Sequence, residues 1–330
     1  MKLRFLMGSL ALVALVGCGD AKSTDDNERA FYQSYYNPDL EYGMYIDIPL
    51  LKGDVQSVVL TISNAAEKFG EIVVEDERFR GEYEFTPAGH VRSHKEYHYS
   101  ELHRVRKMEY NNSDKCSKVV EYNGDGELVK NVDILSSEKG HVLGENHYNG
   151  DGELIYRLAT ECDKEGNPIT VTNYGADGEI VSLVRQQFNT KGELTKYLSY
   201  DSEGQLEYEM SYEYDSDGNL IRELHNNIYN DEEHIARYTN NYDSKGRLTE
   251  RLCEGDNYTA RTIYTYNKEG NLVEQVHSRS WGDDEEDKLN GLRTYEYDSK
   301  GNVTRYVVYE SGYKGRKEVD KVYDFDIEYR

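Results

Sequence analysis

The stretch "EYDSDGNL" at residues 213–220 decides how the rest of the chain is read. Close copies stand at Tyr242 (YDSKGRL), Tyr266 (YNKEGNL) and Tyr297 (YDSKGNV), and earlier at Tyr122 and Tyr148 (YNGDGEL in both). Asp, Asn and Gly in this order suit either a calcium loop or a tight turn. A calcium loop of the EF-hand type needs a bidentate Glu six residues after its glycine. Those positions hold Val132, Leu158, Met210 and Leu224, so the calcium reading fails. What remains is a type I turn closed by a left-handed glycine, with the Asp side chain capping the turn backbone. Asp215 with Gly218, Asp243 with Gly246 and Asp298 with Gly301 are the structural turn residues on this reading.

The turns are periodic. Glycines at 126, 140, 152, 166, 178, 192, 204 and 218 alternate spacings of 14 and 12, giving four blocks of 26 residues from Tyr122, Tyr148, Tyr174 and Tyr200. Such a register marks a repeat architecture. Positions two and six after each glycine are aliphatic or Met, as in Leu128/Val132, Leu220/Leu224 and Leu248/Leu252. Even offsets share a strand face, so each strand is expected to bury both positions together. The fold class is therefore all-β: consecutive antiparallel β-hairpins, two strands per 26 residues, forming one long curved or coiled sheet. With 28 Gly and 4 Pro, the composition suits many short strands, and 31 Tyr point to a thin interior of Tyr, Leu and Val.

The chain organises around that block. Residues 1–17 read as a signal segment, with Lys2 and Arg4 ahead of an apolar run too short to span a bilayer. Leu15-Val16-Gly17-Cys18 resembles a bacterial lipobox, which implies cleavage before Cys18 and lipid attachment to it. Gly19 in place of Asp favours the outer membrane, on its periplasmic or its surface-exposed face. Residues 18–49 form an acidic tether and lead-in. Residues 50–110 hold N-terminal strands with a degenerate first repeat (YEFTPAGHV, 83–91), and "AAEKFGE" at 65–71 suits a short helix or a long hairpin loop. Residues 111–330 are the repeat domain, closing on a strand whose Tyr323, Phe325, Ile327 and Tyr329 share a face. Without residues 1–17 the chain carries 63 acids against 37 bases, a net charge of −26. That charge repels phosphate backbones and anionic lipid surfaces, so nucleic acid is excluded and membrane contact is expected through the lipid anchor alone.

The tetrads Tyr214-Asp215-Gly218-Leu220, Tyr242-Asp243-Gly246-Leu248 and Tyr297-Asp298-Gly301-Val303 resemble the YD repeat of the RHS-repeat family over about residues 83–310. The resemblance implies hairpins building a curved shell. Long members enclose a toxic C-terminal domain, and many short ones are labelled sugar-binding. This chain departs from the toxin type in lacking a long shell and a separate effector domain. A looser similarity is to MORN-like repeats.

Catalytic patterns are absent: the sequence holds no GxSxG, no phosphate-cradling glycine loop and no Cys/His pair of suitable spacing. An enzyme, a cofactor and a metal are not expected. His90, His94, His98 and His103 crowd one stretch, but residues four apart on a strand lie about 13 Å from one another, so they read as solvent-facing. Cys116, Cys162 and Cys253 are widely spaced and leave room for one disulfide at most. Charges at Glu207, Glu209, Glu223 and Arg251 interrupt the apolar band that a membrane-spanning barrel needs. Two functions survive. One is a binding or scaffold module for another protein or an envelope polymer. The other is glycan binding through Tyr197, Tyr200, Tyr208, Tyr212 and Tyr214. Leu206, Tyr208, Met210, Tyr212 and Tyr214 are expected on one face, with Glu207, Glu209 and Glu213 opposite.

Overall fold

The computed structural model describes residues 51–330 except 113, 139–140, 230–231, 283–287 and 312–316. Residues 1–17 and 18–49, with Cys18 among them, lie outside the described residues.

Twenty strands run from β1 (Val55–Lys68) to β20 (Lys317–Tyr329), and every strand pairs antiparallel with its neighbours in sequence. The sheet does not stay open. β1 also pairs with β20, placing Val58 opposite Ile327, Leu60 opposite Phe325 and Ile62 opposite Tyr323. This corrects the expectation of an open curved or coiled sheet: the twenty strands close into an up-and-down barrel. Closure removes the two free edges that a linear run of hairpins would leave. The apolar face expected of the last strand turns inward and packs into the core beside the inward residues of β1. The stretch at 65–71 is neither helix nor long loop, because β1 passes through the two-residue turn Phe69-Gly70 into β2 (Glu71–Phe85). Residues 50–110 and 111–330 form one sheet, since β4 (Glu101–Tyr110) pairs with β5 (Cys116–Asn123) across the boundary.

Burial alternates along the strands and identifies the inward face. On β10 (Ile180–Phe188), Val184 and Gln186 are buried while Arg185 and Gln187 are exposed. On β13 (Leu220–Tyr229), Glu223 is buried between exposed Arg222 and Leu224. Outward positions carry charge on these strands, with Glu207 and Glu213 exposed on β12 (Leu206–Tyr214) as well, alongside exposed aliphatics such as Val129, Ile155 and Val181. The apolar core lies inward where β1, β2 and β20 meet, and gathers Val58, Leu60, Ile62, Phe79, Tyr83 and Phe325. A second inward cluster joins Val171, Val184 and Tyr197, with Tyr208, Met210 and Tyr212 packed on it. A barrel of this many strands is wide enough to leave an interior beyond what side chains fill.

The expectation that positions two and six share a face is overturned by a β-bulge after each repeat turn closed by its glycine. Leu248 sits opposite Tyr242, yet Glu250 sits opposite Asn241, so one extra residue intervenes and the alternation slips. In consequence Leu248, Leu272 and Val303 are buried at position two. At the other end of the barrel the same slip leaves Leu128, Leu154 and Ile180 exposed at position two, and it is position six that turns inward, as Val132 and Val184.

The two ends are built differently. One rim, the tight rim, carries the turns at 163–167, 189–193, 215–219, 243–247, 267–271 and 298–302. Neighbouring turns there touch: a Cβ built at Gly218 would lie 2.9 Å from Glu193 Oε1, and one at Gly301 3.7 Å from Asn271 Oδ1. The chain entry is tied to the same rim, where Lys52 N donates to Asn302 Oδ1 (2.6 Å) and Asn302 Nδ2 to Lys52 O (2.9 Å). At the opposite, free rim, nothing lies within 4 Å of such a Cβ at Gly126, Gly152, Gly178 or Gly204.

Candidate functional site

At the tight rim the turn chemistry is explicit. Asp215 Oδ1 accepts from the amides of Asp217 and Asn219 (2.9 Å each), while Asn219 Nδ2 donates to Asp215 Oδ2 (2.9 Å). Gly218 takes φ 91°, a region open to glycine at little cost. The tyrosine of the motif has its own task. Tyr214, Tyr242, Tyr266 and Tyr297 face inward and donate their hydroxyls to the carbonyls of Leu194, Leu220, Leu248 and Leu272, at 2.7–2.8 Å. Each acceptor is the first residue of a strand in the preceding hairpin, so the tyrosine stitches successive repeats.

The five tyrosines proposed from sequence do not form one open face. Tyr208, Tyr212 and Tyr214 are inward on β12, with Glu207, Glu209 and Glu213 opposite, and Tyr197 joins them as a buried residue. Tyr200 faces outward, its ring 5.6 Å from the Arg185 guanidinium. Burial pushes the Tyr197 phenol up to about 12 and raises that of Tyr212, whose hydroxyl lies 3.1 Å from Met210 Sδ. These rings are packed, and only Tyr208 reaches an accessible hollow.

That hollow opens at the free rim between β13, β14 (Glu232–Tyr242), the turn before β16 (Tyr258–Tyr266) and the end of β17 (Leu272–Trp281). Its volume is about 410 Å³, and Tyr208, His225, Asn227, Ala236, Asp256, Asn257, Tyr258 and Trp281 line it. Trp281 is 59% exposed, and its ring lies 5.4 Å from that of Tyr258. Arg279 stands 5.3 Å from the indole and 5.5 Å from the Tyr258 ring, a cation–π arrangement that orients both. His225 is fixed on both nitrogens: Nδ1 meets Tyr208 Oη (3.1 Å) and Nε2 meets Glu223 Oε2 (3.0 Å). Burial works against the Glu223 carboxylate, but His225 and Arg251, whose Nη2 is 3.0 Å away, hold it below the ordinary range. The hollow thus combines two accessible aromatic faces with Asp, Asn and a fixed imidazole.

Sequence reasoning passed over this site, although two signals mark it. The chain's single Trp stands beside the acidic run 281–287, and Glu-x-His recurs at 96–98, 145–147 and 223–225. Alternate residues share a strand face, so each such pair is bound to meet. Glu96 and His98 lie 2.8 Å apart, and Glu145 and His147 2.7 Å. The histidines are accordingly not all solvent-facing. His94 is 9% exposed, stacks on Tyr83 at 4.2 Å, and is pulled down to about 3 by burial with Arg106 pushing the same way. The three described cysteines are unpaired, and burial pushes the Cys116 thiol up to about 11.

No family model matches the chain, and no curated protein does. Among solved structures it is similar to a porin-like protein from Bacteroides uniformis, at 11% identity and a TM-score of 0.37 over 83% of this chain and 96% of that one. It is also similar to the Photorhabdus luminescens Tc holotoxin pore, at 13% identity and a TM-score of 0.31 over 75% of this chain and 15% of that one. A protein of unknown function from Bacteroides fragilis gives 14% identity and a TM-score of 0.18 over 47% of this chain and 96% of that one. Scores below 0.5 establish no common fold.

Proposed function

We propose that this chain is a lipid-anchored envelope protein that acts as a non-catalytic binding or scaffold module. The observation that carries this reading is the charge that interrupts the exposed aliphatics, such as Leu128, Ile155 and Val181, on the outer wall of a closed barrel. Arg185, Glu207, Glu213 and Arg222 are exposed on it, where a membrane-spanning barrel presents a continuous apolar band to lipid. Such a barrel stands beside a bilayer and needs another means of attachment, which the lipobox at Cys18 supplies. Fractionation of cells expressing Cys18→Ala tests this. The variant should leave the membrane fraction, and retention equal to the parent protein would refute the anchor.

The hollow at the free rim favours a carbohydrate as the ligand. Aromatic rings stack on sugar C–H faces while Asp, Asn and His meet hydroxyls. Here Trp281 and Tyr258 supply the rings, and Asp256, Asn257 and Asn227 the polar partners. A glycan array probed with the mature protein should show binding that Trp281→Ala abolishes with melting unchanged. An empty array would leave the scaffold role, with a protein or envelope polymer as partner.

A further inference from the structure

The β3–β4 hairpin brings a third metal-ligating side chain, His103, to the Glu96–His98 pair that strand alternation already places together. β3 (Val91–His98) turns into β4 through Tyr99-Ser100, both at positive φ (48° and 68°), the two-residue connection that matches strand twist. Leu102 pairs with Tyr97 and Arg104 with Glu96, so His103 is the extra residue of a bulge. The bulge turns its imidazole to the inward side. His98 and His103 lie with ring centroids 4.9 Å apart, and Glu96 Oε1 is 2.8 Å from His98 Nε2. The donor atoms of Glu96, His98 and His103 all fall within 4.8 Å of one another.

We propose that Glu96, His98 and His103 bind a borderline divalent cation of the zinc class at the free rim. Two imidazoles and one carboxylate are a recurrent three-ligand zinc set, and bonds of about 2.0–2.2 Å place donors on a tetrahedron with a fourth position for water. The contact between Glu96 and His98 is one a hydrogen bond now bridges, and the cation takes the place of that proton. The carboxylate is already ionised: burial opposes it, but the His98 hydrogen bond and the charges of Arg106 and Arg104 hold it low. Arg106 also approaches this carboxylate, its Nη1 4.0 Å from Glu96 Oε2. Its shorter contact is with Glu121, which receives Arg106 Nε at 2.8 Å and Arg104 Nε at 3.2 Å. His103 is exposed, so the site is reached from solvent without rearranging the barrel.

Calorimetric titration of the full mature chain with zinc chloride tests the assignment. One equivalent should bind the parent protein, and zinc should raise its melting temperature. His103→Ala, which removes an exposed side chain, should weaken binding by about tenfold or more and abolish the thermal shift. His90→Ala, at the other end of β3, should leave both unchanged. Failure of the parent to bind, or equal binding by His103→Ala, would overturn the site.

Discussion

The two rims of the barrel are written in nearly the same letters and behave oppositely. At the tight rim the motif tyrosine turns inward and bonds a carbonyl of the preceding hairpin, and Leu248, Leu272 and Val303 behind it are buried. At the free rim Tyr122, Tyr148, Tyr174 and Tyr200 turn outward, with Lys107 lying over Tyr122 and Arg157 over Tyr174 at 5.4 and 4.4 Å. Of the aliphatic residues that follow them, Leu128, Leu154 and Ile180 stay exposed. The cause is parity. Each turn is followed by the same bulge, but the strands between a tight-rim turn and a free-rim turn place the motif on opposite faces. One rim becomes the structural girdle, and the other is left to present surface, including the hollow beside Trp281 and the cluster at His103.

The largest test of this comparison exchanges the rims. Deleting residues 174–199 removes two strands and leaves eighteen, an even number that closes antiparallel and keeps every later turn on its own rim. Deleting 174–186 leaves nineteen, moves each later turn to the opposite rim, and asks the first and last strands to pair in parallel. The first variant should melt cooperatively and remain monodisperse in gel filtration, while the second should do neither. Equal behaviour would refute the assignment of the rims.

Next in size are the leucines. Leu248→Ala empties a site 2% exposed and should cost about 2–5 kcal/mol, read from denaturant unfolding. Leu154→Ala, at the equivalent place on the free rim and 37% exposed, should cost about 1 kcal/mol or less. A smaller contrast separates the hydroxyls. Tyr242→Phe strips the donor from Leu220 O and should cost about 1 kcal/mol, whereas Tyr148→Phe should fall within about 0.5. Equal costs for the two would remove the stitching role from the motif tyrosine.

Much of the local architecture was legible because turns and alternation are local chemistry. The Asp-x-x-Gly spacing gave the hairpins, and the constant 26-residue period gave their succession. The bulge was not legible, since no residue type is reserved for it and its effect is to move Leu128 and Leu248 to different environments under the same letters. Closure was not legible either, because it rests on the pairing of Leu60 with Phe325, residues that no local pattern connects. The placing of the tyrosines was only partly legible for a related reason. Propensity places Tyr on half-buried strands whether or not it binds anything, so density between 197 and 214 marked packing. Trp281 and the hairpin partners His98 and His103 carry less sequence signal, because their neighbours are set by register across strands.

The smallest effect is electrostatic and belongs to the Asp243 turn of the tight rim. Asp243 Oδ2 receives both Arg247 Nε (2.8 Å) and Nη2 (2.5 Å), and this guanidinium, against slight desolvation, holds the carboxyl down at about 2. At the free rim Asn123 makes the same backbone contacts, its Oδ1 accepting from Asp125 N (3.1 Å) and Glu127 N (2.9 Å), with no proton to gain. A carboxyl whose folded pKa is depressed stabilises the native state above its unfolded value near 3.8, and loses that contribution as pH falls through about 2. Asp243→Asn makes this turn chemically like the one at Asn123. Melting temperatures measured at pH 7, 4, 3 and 2 should show the parent falling more steeply than the variant below pH 4, with the gap between them closing by pH 2. Part of the slope should persist in the variant, because Asp163, Asp215 and Asp298 are also held low by their turns. Identical acid limbs would mean that the Asp243–Arg247 pair adds nothing to the rim, and that packing alone separates the two ends.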